Sequence, residues 1–165
     1  LYQYGGIWLD STTYLNGSID KYINGLSFWS VHHERFKNWH ICAGKWSVSY
    51  FASAKNDPVM GFMSEMFLQY YIIEEYSMYY LLVDCILSLG YENISAIKKE
   101  IDNIPINNEY VFDLLTKINE PFNKKLFIDS SKNTVNKLTY KKELIKKING
   151  KITNYGYIAG EINDD

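Results

Sequence analysis

The segment Tyr4-Gly-Gly-Ile-Trp-Leu-Asp10-Ser-Thr12 places one carboxylate directly after a short apolar run, with two hydroxyl residues next to it. A strand that delivers an aspartate to a sheet edge can serve a divalent cation. Mg²⁺ and Mn²⁺ take oxygen ligands from one or two carboxylates and leave the remaining positions to phosphates and water. Asp10, Ser11 and Thr12 offer that chemistry, and they fit a simple turn equally well, since Asp, Ser and Thr bond to their own backbone there. Asp84 is the second candidate. It stands inside the apolar run Met78 to Leu89, where an unpaired carboxylate is costly. It needs a partner, either as a site-facing group near an acceptor or as a structural pair with a lysine or tyrosine. Lys45 and Trp46 follow Gly44, close to an expected strand. The lysine suits a phosphate and the indole suits a sugar or base, while tryptophan is equally at home in a core.

Other polar clusters point to less. His32 and His33 are adjacent, so on a strand they face opposite sides. Together with His40 and Glu34 they form no metal-ligand spacing. Asn107 and Asn108 suit a cap or turn as well as a substrate contact, and Glu74 and Glu75 read as a solvated helix end. No Ser/His/Asp triad, phosphate-cradling glycine loop or cysteine nucleophile stands out.

These residues need elements to hold them. Leu1 to Tyr4 read as the last turn of a helix, with Gly5 as its left-handed cap. Ile7, Trp8 and Leu9 form a continuous apolar run, which predicts a strand buried on both faces. The carboxyl end of such a strand is where open α/β sheets place ligands. Leu26 to His33 and Trp46 to Ala54 are further strand candidates, joined by an irregular segment from His33 to Lys45. Asp57 and Pro58 open a helix whose Val59, Phe62, Met63, Met66, Phe67, Tyr70 and Ile73 recur at core spacing. Further helices are expected from about Ser77 to Leu89, closed by Gly90, from Ser95 to before Pro105, and from Glu109 to Ile118. Asn133 to Lys141 reads as a strand or extended segment. Lys141 to Asn149 reads as a short basic helix capped by Gly150, with a weakly structured tail from Gly156. No repeat or linker divides the chain, so residues 1–165 are expected to form a single domain.

The chain has 165 residues, 47% of them apolar and 22% charged, the composition of a folded globular protein. Fifteen tyrosines and four tryptophans suit ring, sugar or base stacking, and an AT-rich coding sequence explains them as readily. The net charge of −2 gives no electrostatic case for nucleic acid. Lys137 to Lys151 is rich in lysine, which suits an acidic membrane surface, an anionic substrate or a solvated face. Cys42 and Cys85 show no metal or redox spacing and read as reduced core residues of a cytosolic protein. No apolar run is long enough to span a bilayer.

Taken together, these segments resemble the capsular polysaccharide synthesis protein family. Its members read Tyr-Gly-Gly-Ile-Trp-Ile/Leu-Asp-Ala/Ser-Thr where this chain has Tyr4 to Thr12. The opening is also similar to the Asp-x-Asp segment of GT-A glycosyltransferases. Gly44 to Met63, Tyr79 to Phe122 and Lys137 to Lys141 match later parts of the family pattern, so the resemblance runs from Leu1 to about Ile158. It implies an α/β, GT-A-like nucleotide-diphospho-sugar transferase fold. It also implies a glycosyltransferase that moves a sugar from a nucleotide-sugar donor to a growing bacterial capsular or surface polysaccharide. On this resemblance Asp10 is the metal residue. Beside that carry-over, the residues themselves make Gly6, Ser11, Thr12, Lys45 and Trp46 expected donor-binding residues together with Asp10, with Mn²⁺ or Mg²⁺ as the expected cation, and Asp84 the expected catalytic residue. Thr12 stands where the Asp-x-Asp segment has its second aspartate, and it is a weaker ligand. The expected partners are the donor and an oligosaccharide or lipid-linked glycan acceptor, with no nucleic acid and with peripheral membrane association. The expected location is cytoplasmic, with the inner face of the membrane as an option. GT-A enzymes place most donor-binding strands before this segment, so the chain is expected to be an N-terminally truncated, C-terminal portion. A non-catalytic carbohydrate-binding or interaction protein of the same fold is the alternative.

Overall fold

The structure is a computed structural model that describes residues 1–160 except Phe36, Trp39, His40, Ser131 and Lys132. For Asp129 and Ser130 it describes the backbone alone. The chain is mixed α/β with small antiparallel sheets, and it separates into two compact units. One comprises Leu1–Asp10 and Asp20–Glu109, the other Ser11–Ile19 and Tyr110–Asp165.

In the first unit, strands β1 (Gly6–Leu9), β3 (Phe28–Ser30) and β4 (Tyr50–Ser53) form one sheet in the order β1-β4-β3, with every pairing antiparallel. The expected strand at residues 7–9 is present, but its expected burial on both faces is not. β1 lies at the sheet edge, with Ile7 46% and Trp8 55% exposed. A continuous apolar run signals a strand without saying which side of the sheet is covered. Full burial belongs to β3 and to β4, the central strand, where Phe28, Trp29, Tyr50 and Phe51 enter the core. The rings of Phe28 and Phe51 lie 5.6 Å apart. Removing such a side chain from water stabilises the fold by roughly 1.5–3 kcal/mol.

Leu1 to Tyr4 make a single turn closed by Gly5, whose N–H donates to Leu1 O at 2.7 Å. Gly5 is left-handed (φ 71°), and a Cβ there would lie 2.9 Å from Ser53 O, so the approach to β4 requires glycine. A short helix, α1 (Asp20–Ile23), packs on β3, with Tyr22 stacked on Trp29.

α2 (Pro58–Ile73) starts where the sequence predicts. Asp57 Oδ1 accepts from the N–H groups of Val59 and Met60, and Pro58 needs no acceptor in the first turn. Its apolar periodicity is only half core. Val59, Met60 and Met63 are buried, whereas Ile73 is exposed. α3 (Leu82–Asn93) begins later than expected and runs through Gly90 rather than stopping there. Gly90 is a contact point: a Cβ would meet Phe62 Cε1 at 2.6 Å, so glycine lets α2 and α3 approach. α4 (Ser95–Asp102) follows as expected and packs Ile97 and Ile101 inward. The segment from His33 to Lys45 has no helix or strand among its described residues.

In the second unit, β2 (Thr13–Leu15) pairs antiparallel with β5 (Val135–Lys137), so the expected extended segment is a strand. The helix expected over residues 109–118 shortens to α5 (Asp113–Thr116), and α6 (Lys124–Ser130) follows. The basic helix expected over residues 141–149 is replaced by a hairpin of β6 (Lys147–Ile148) and β7 (Lys151–Ile152). Asn149 (φ 50°) and Gly150 (φ 76°) are both left-handed, the two-residue turn that Asn-Gly favours. α7 (Asn154–Ile158) gives the expected loose tail a firm start. Thr153 Oγ1 caps it by accepting from Gly156 N–H at 2.9 Å, and the buried Asn154 ties Lys117 O to Asn123 N–H. The tail beyond residue 160 lies outside the described residues.

Candidate functional site

Asp10 emerges from β1 and is half-buried. Its N–H donates to Ser49 O at 3.0 Å, which extends the β1–β4 pairing by one bond and fixes where the carboxylate leaves the sheet. Gly6 (φ 111°) begins the same strand. Ser11 and Thr12 belong to the second unit. There Ser11 is exposed and Thr12 O accepts from Leu138 N–H at 2.8 Å.

Lys45, Trp46 and Asp84 gather in one cluster in the first unit. Asp84 is 8% exposed on the first turn of α3, and its Oδ1 accepts from Trp46 Nε1 at 3.0 Å. A buried carboxylate needs such a donor, and the indole N–H needs an acceptor. Trp46 is itself buried and lies against Tyr91, with ring centroids 5.9 Å apart. Tyr91 Oη and Lys45 Nζ both donate to Asp102 Oδ1, at 2.8 and 2.9 Å. Burial pushes the Asp102 carboxyl up, but Lys45 and Tyr91 outweigh it and hold the group below the usual carboxylate range. The Lys45 ammonium is held above its ordinary value, chiefly by its hydrogen bond to Asp102. Trp46 to Ser49 is one short loop, so the cluster and the Asp10 anchor share a single segment of backbone.

Tyr91 and Asp102 were not legible as site residues. They are eleven positions apart on different helices, and only the fold brings them to Lys45. Other candidates among the described residues bond to backbone groups. His32 Nδ1 donates to Ile104 O at 2.7 Å, and Asn107 Nδ2 donates to Ser30 O and Pro105 O. His33 is buried, and its N–H donates to Gly44 O. His40 lies outside the described residues. Cys42 is buried as expected, and burial pushes its thiol up, whereas Cys85 is exposed. The apolar neighbours of Cys85 in sequence pack elsewhere, because a helix turns successive residues to different faces.

Among the described residues, no three His, Cys, Asp or Glu side chains converge on a point that could hold a metal ion. Among the described residues there is therefore no closed, all-protein metal cage. One half-buried carboxylate at a strand exit is compatible only with an open site, in which a diphosphate and water complete the shell.

A family model described as capsular polysaccharide synthesis protein matches residues 1–157. The chain belongs to this family. Membership gives it a role in capsular polysaccharide synthesis and agrees with the family that the sequence resembles. No curated protein and no solved structure matches it significantly. Among the described residues, no helix is long and apolar enough to cross a membrane.

Proposed function

We propose that this family member is a glycosyltransferase, transferring a sugar from a nucleotide-sugar donor to a growing capsular polysaccharide. The observation that carries the reading is Asp10, a half-buried carboxylate anchored at the exit of β1 within a segment that falls inside the family match. In the reaction, the bond from the sugar's anomeric carbon to the diphosphate breaks. A bond from that carbon to an acceptor hydroxyl oxygen forms, the nucleoside diphosphate departs with the electron pair, and the acceptor hydroxyl's proton passes to solvent water. Asp10 would hold the divalent cation that faces the donor's diphosphate, since a carboxylate does not itself attract that anion. Mn²⁺ or Mg²⁺, when bound there, supplies positive charge against the departing diphosphate.

Asp84 serves this site through Trp46. Its carboxylate already accepts the indole N–H in the interior, which suits it to fixing the ring rather than meeting the acceptor. Lys45, steadied by Asp102 and Tyr91, is the cation closest in sequence to the Trp46–Ser49 loop. A GT-A-like arrangement of the whole enzyme follows from the same reading, as does an oligosaccharide or lipid-linked glycan acceptor at the inner face of the membrane.

Calorimetric titration of UDP and UDP-sugars, with and without Mn²⁺, tests the reading. The expected result is nucleotide binding that strengthens with the metal and is lost in Asp10→Asn. Thr12, standing where the Asp-x-Asp segment has its second aspartate, favours one competing reading, a non-catalytic carbohydrate-binding protein. Glycan binding with no nucleotide affinity in the wild-type chain would select that alternative.

A further inference from the structure

The C-terminal half of α2 and the segment that follows it present an apolar face to solvent. Ile72 is 75%, Ile73 79% and Tyr80 94% exposed, and Leu68, Tyr76 and Tyr79 are exposed with them. The face is built rather than frayed. Tyr70 Oη donates to Tyr76 O at 3.2 Å and accepts from Met78 N–H at 3.0 Å, which folds the segment back onto the helix. Phe67 stacks on Tyr71, and Ser64, Leu68 and Ile72 complete a groove of about 430 Å³ along α2. Large apolar faces of this kind mark interaction sites.

Charge narrows the occupant. From Asn56 to Ile97 the sequence contains no lysine or arginine, while Glu65 and Glu75 are exposed beside the apolar residues and Glu74 is half-buried. An anionic bilayer is repelled by such a rim, and so is a second copy of the same face. The fitting partner is basic and carries apolar groups of its own. The chain itself contains one. Lys141, Lys142, Lys146, Lys147 and Lys151 are exposed along the segment that ends in the β6–β7 hairpin, together with an exposed Tyr140. The first unit carries twelve carboxylates against seven Lys and Arg, net −5. The second carries ten lysines against seven carboxylates, net +3.

We propose that the acidic aromatic face of α2 and residues 74–81 docks the lysine-rich segment 137–151 of a second copy, head to tail. The apolar groove supplies the contact area, and the opposed charges steer encounter and set orientation. Because the two patches differ, the contact is heterologous and continues into rings or filaments. The inference does not depend on the transferase reading.

Sedimentation velocity of the full chain tests it. The expected result is mass that grows with protein concentration at low salt, with the association constant falling about tenfold or more at about 0.5 M salt. The double variants Glu74→Lys/Glu75→Lys and Lys142→Glu/Lys151→Glu, each with a native circular dichroism spectrum, should both be monomeric alone and should associate when mixed. A wild-type chain that stays monomeric at every concentration overturns the proposal. So does a Lys142→Glu/Lys151→Glu variant that self-associates like wild type, because the aromatic face would then be pairing with itself. If either double variant misfolds, Ile73→Asp and Lys142→Ala replace them, and unchanged association in both overturns the proposal equally.

Discussion

Asp57 shows how one carboxyl can help and cost at once. Its Oδ1 holds the first two free N–H groups of α2, yet burial pushes the carboxyl above its usual range, against the lowering effect of Met60 and Val59 N–H. A raised folded-state value means the ionised form is the disfavoured one. Its contribution to stability is therefore greatest below the unfolded carboxyl's range and falls as pH rises through the folded value. Asp57→Ala should lose the cap and about 1–2 kcal/mol, read by urea denaturation at neutral pH. Asp57→Asn keeps the accepting oxygen without the charge. It should match or exceed wild-type stability at neutral pH and lose that advantage in acid. Asp102 has the opposite sign. Held low by Lys45 and Tyr91, it adds stability above the ordinary carboxylate range that disappears as pH falls through its folded value. Lys45 and Asp102 are both more than a third exposed, so Lys45→Ala should cost less than about 1 kcal/mol and flatten that acid limb in the same measurement. At this scale the sequence was readable where a signal is local. The Asp57-Pro58 cap announces itself, whereas the Asp84–Trp46 and Asp102–Tyr91 bonds join residues that no spacing rule connects.

At the scale of elements, two glycines play other parts than the sequence pattern predicts. The helix expected from Lys141 to Asn149, with Gly150 as its cap, is instead a hairpin, which the flanking Ile-Asn-Gly-Lys-Ile pattern suits. The lysines around it fit a helix face equally well. Gly90, expected to close a helix, lies inside α3 and lets Phe62 approach. Glycine looks the same in sequence whether it supplies a backbone angle or an absent side chain. The two roles predict different responses. Gly150→Val should destabilise the hairpin by about 1–2 kcal/mol through its left-handed backbone. Gly90→Ala gains helix propensity of about 1 kcal/mol but drives a methyl group into Phe62, an overpacking cost of about 1–3 kcal/mol. The net should be destabilising, and Phe62→Leu in the same chain should recover much of it, as thermal melts of the single and double variants would show. β1 was legible as a strand and not as an edge, because burial depends on which strand pairs beside it and on what covers the sheet.

For the molecule as a whole, composition indicated a folded globular chain, the strand and helix patterns a mixture of both elements, and the ordered motifs its family. The two-unit organisation was hidden, because residues 11–19 join the second unit across ninety intervening positions of the first. No composition shift marks that exchange. Solvent exposure of the two thiols gives a direct check on the packing of the first unit. Maleimide should modify native chain once, at Cys85, and modify urea-unfolded chain twice, with Cys42 protected until unfolding. Rapid double labelling in the native state, read by mass spectrometry, would contradict the buried position of Cys42.

The absence of lysine and arginine between Asn56 and Ile97 has a consequence for how this protein meets proteases. Trypsin finds no cleavage site between Lys55 and Lys98, so the aromatic segment after α2 is invisible to it however open that segment becomes. Chymotrypsin meets Tyr76, Tyr79 and Tyr80 there, all exposed and outside any helix. The same surface is thus silent to one enzyme and open to the other. Paired digestion turns it into a reporter of whatever comes to cover it.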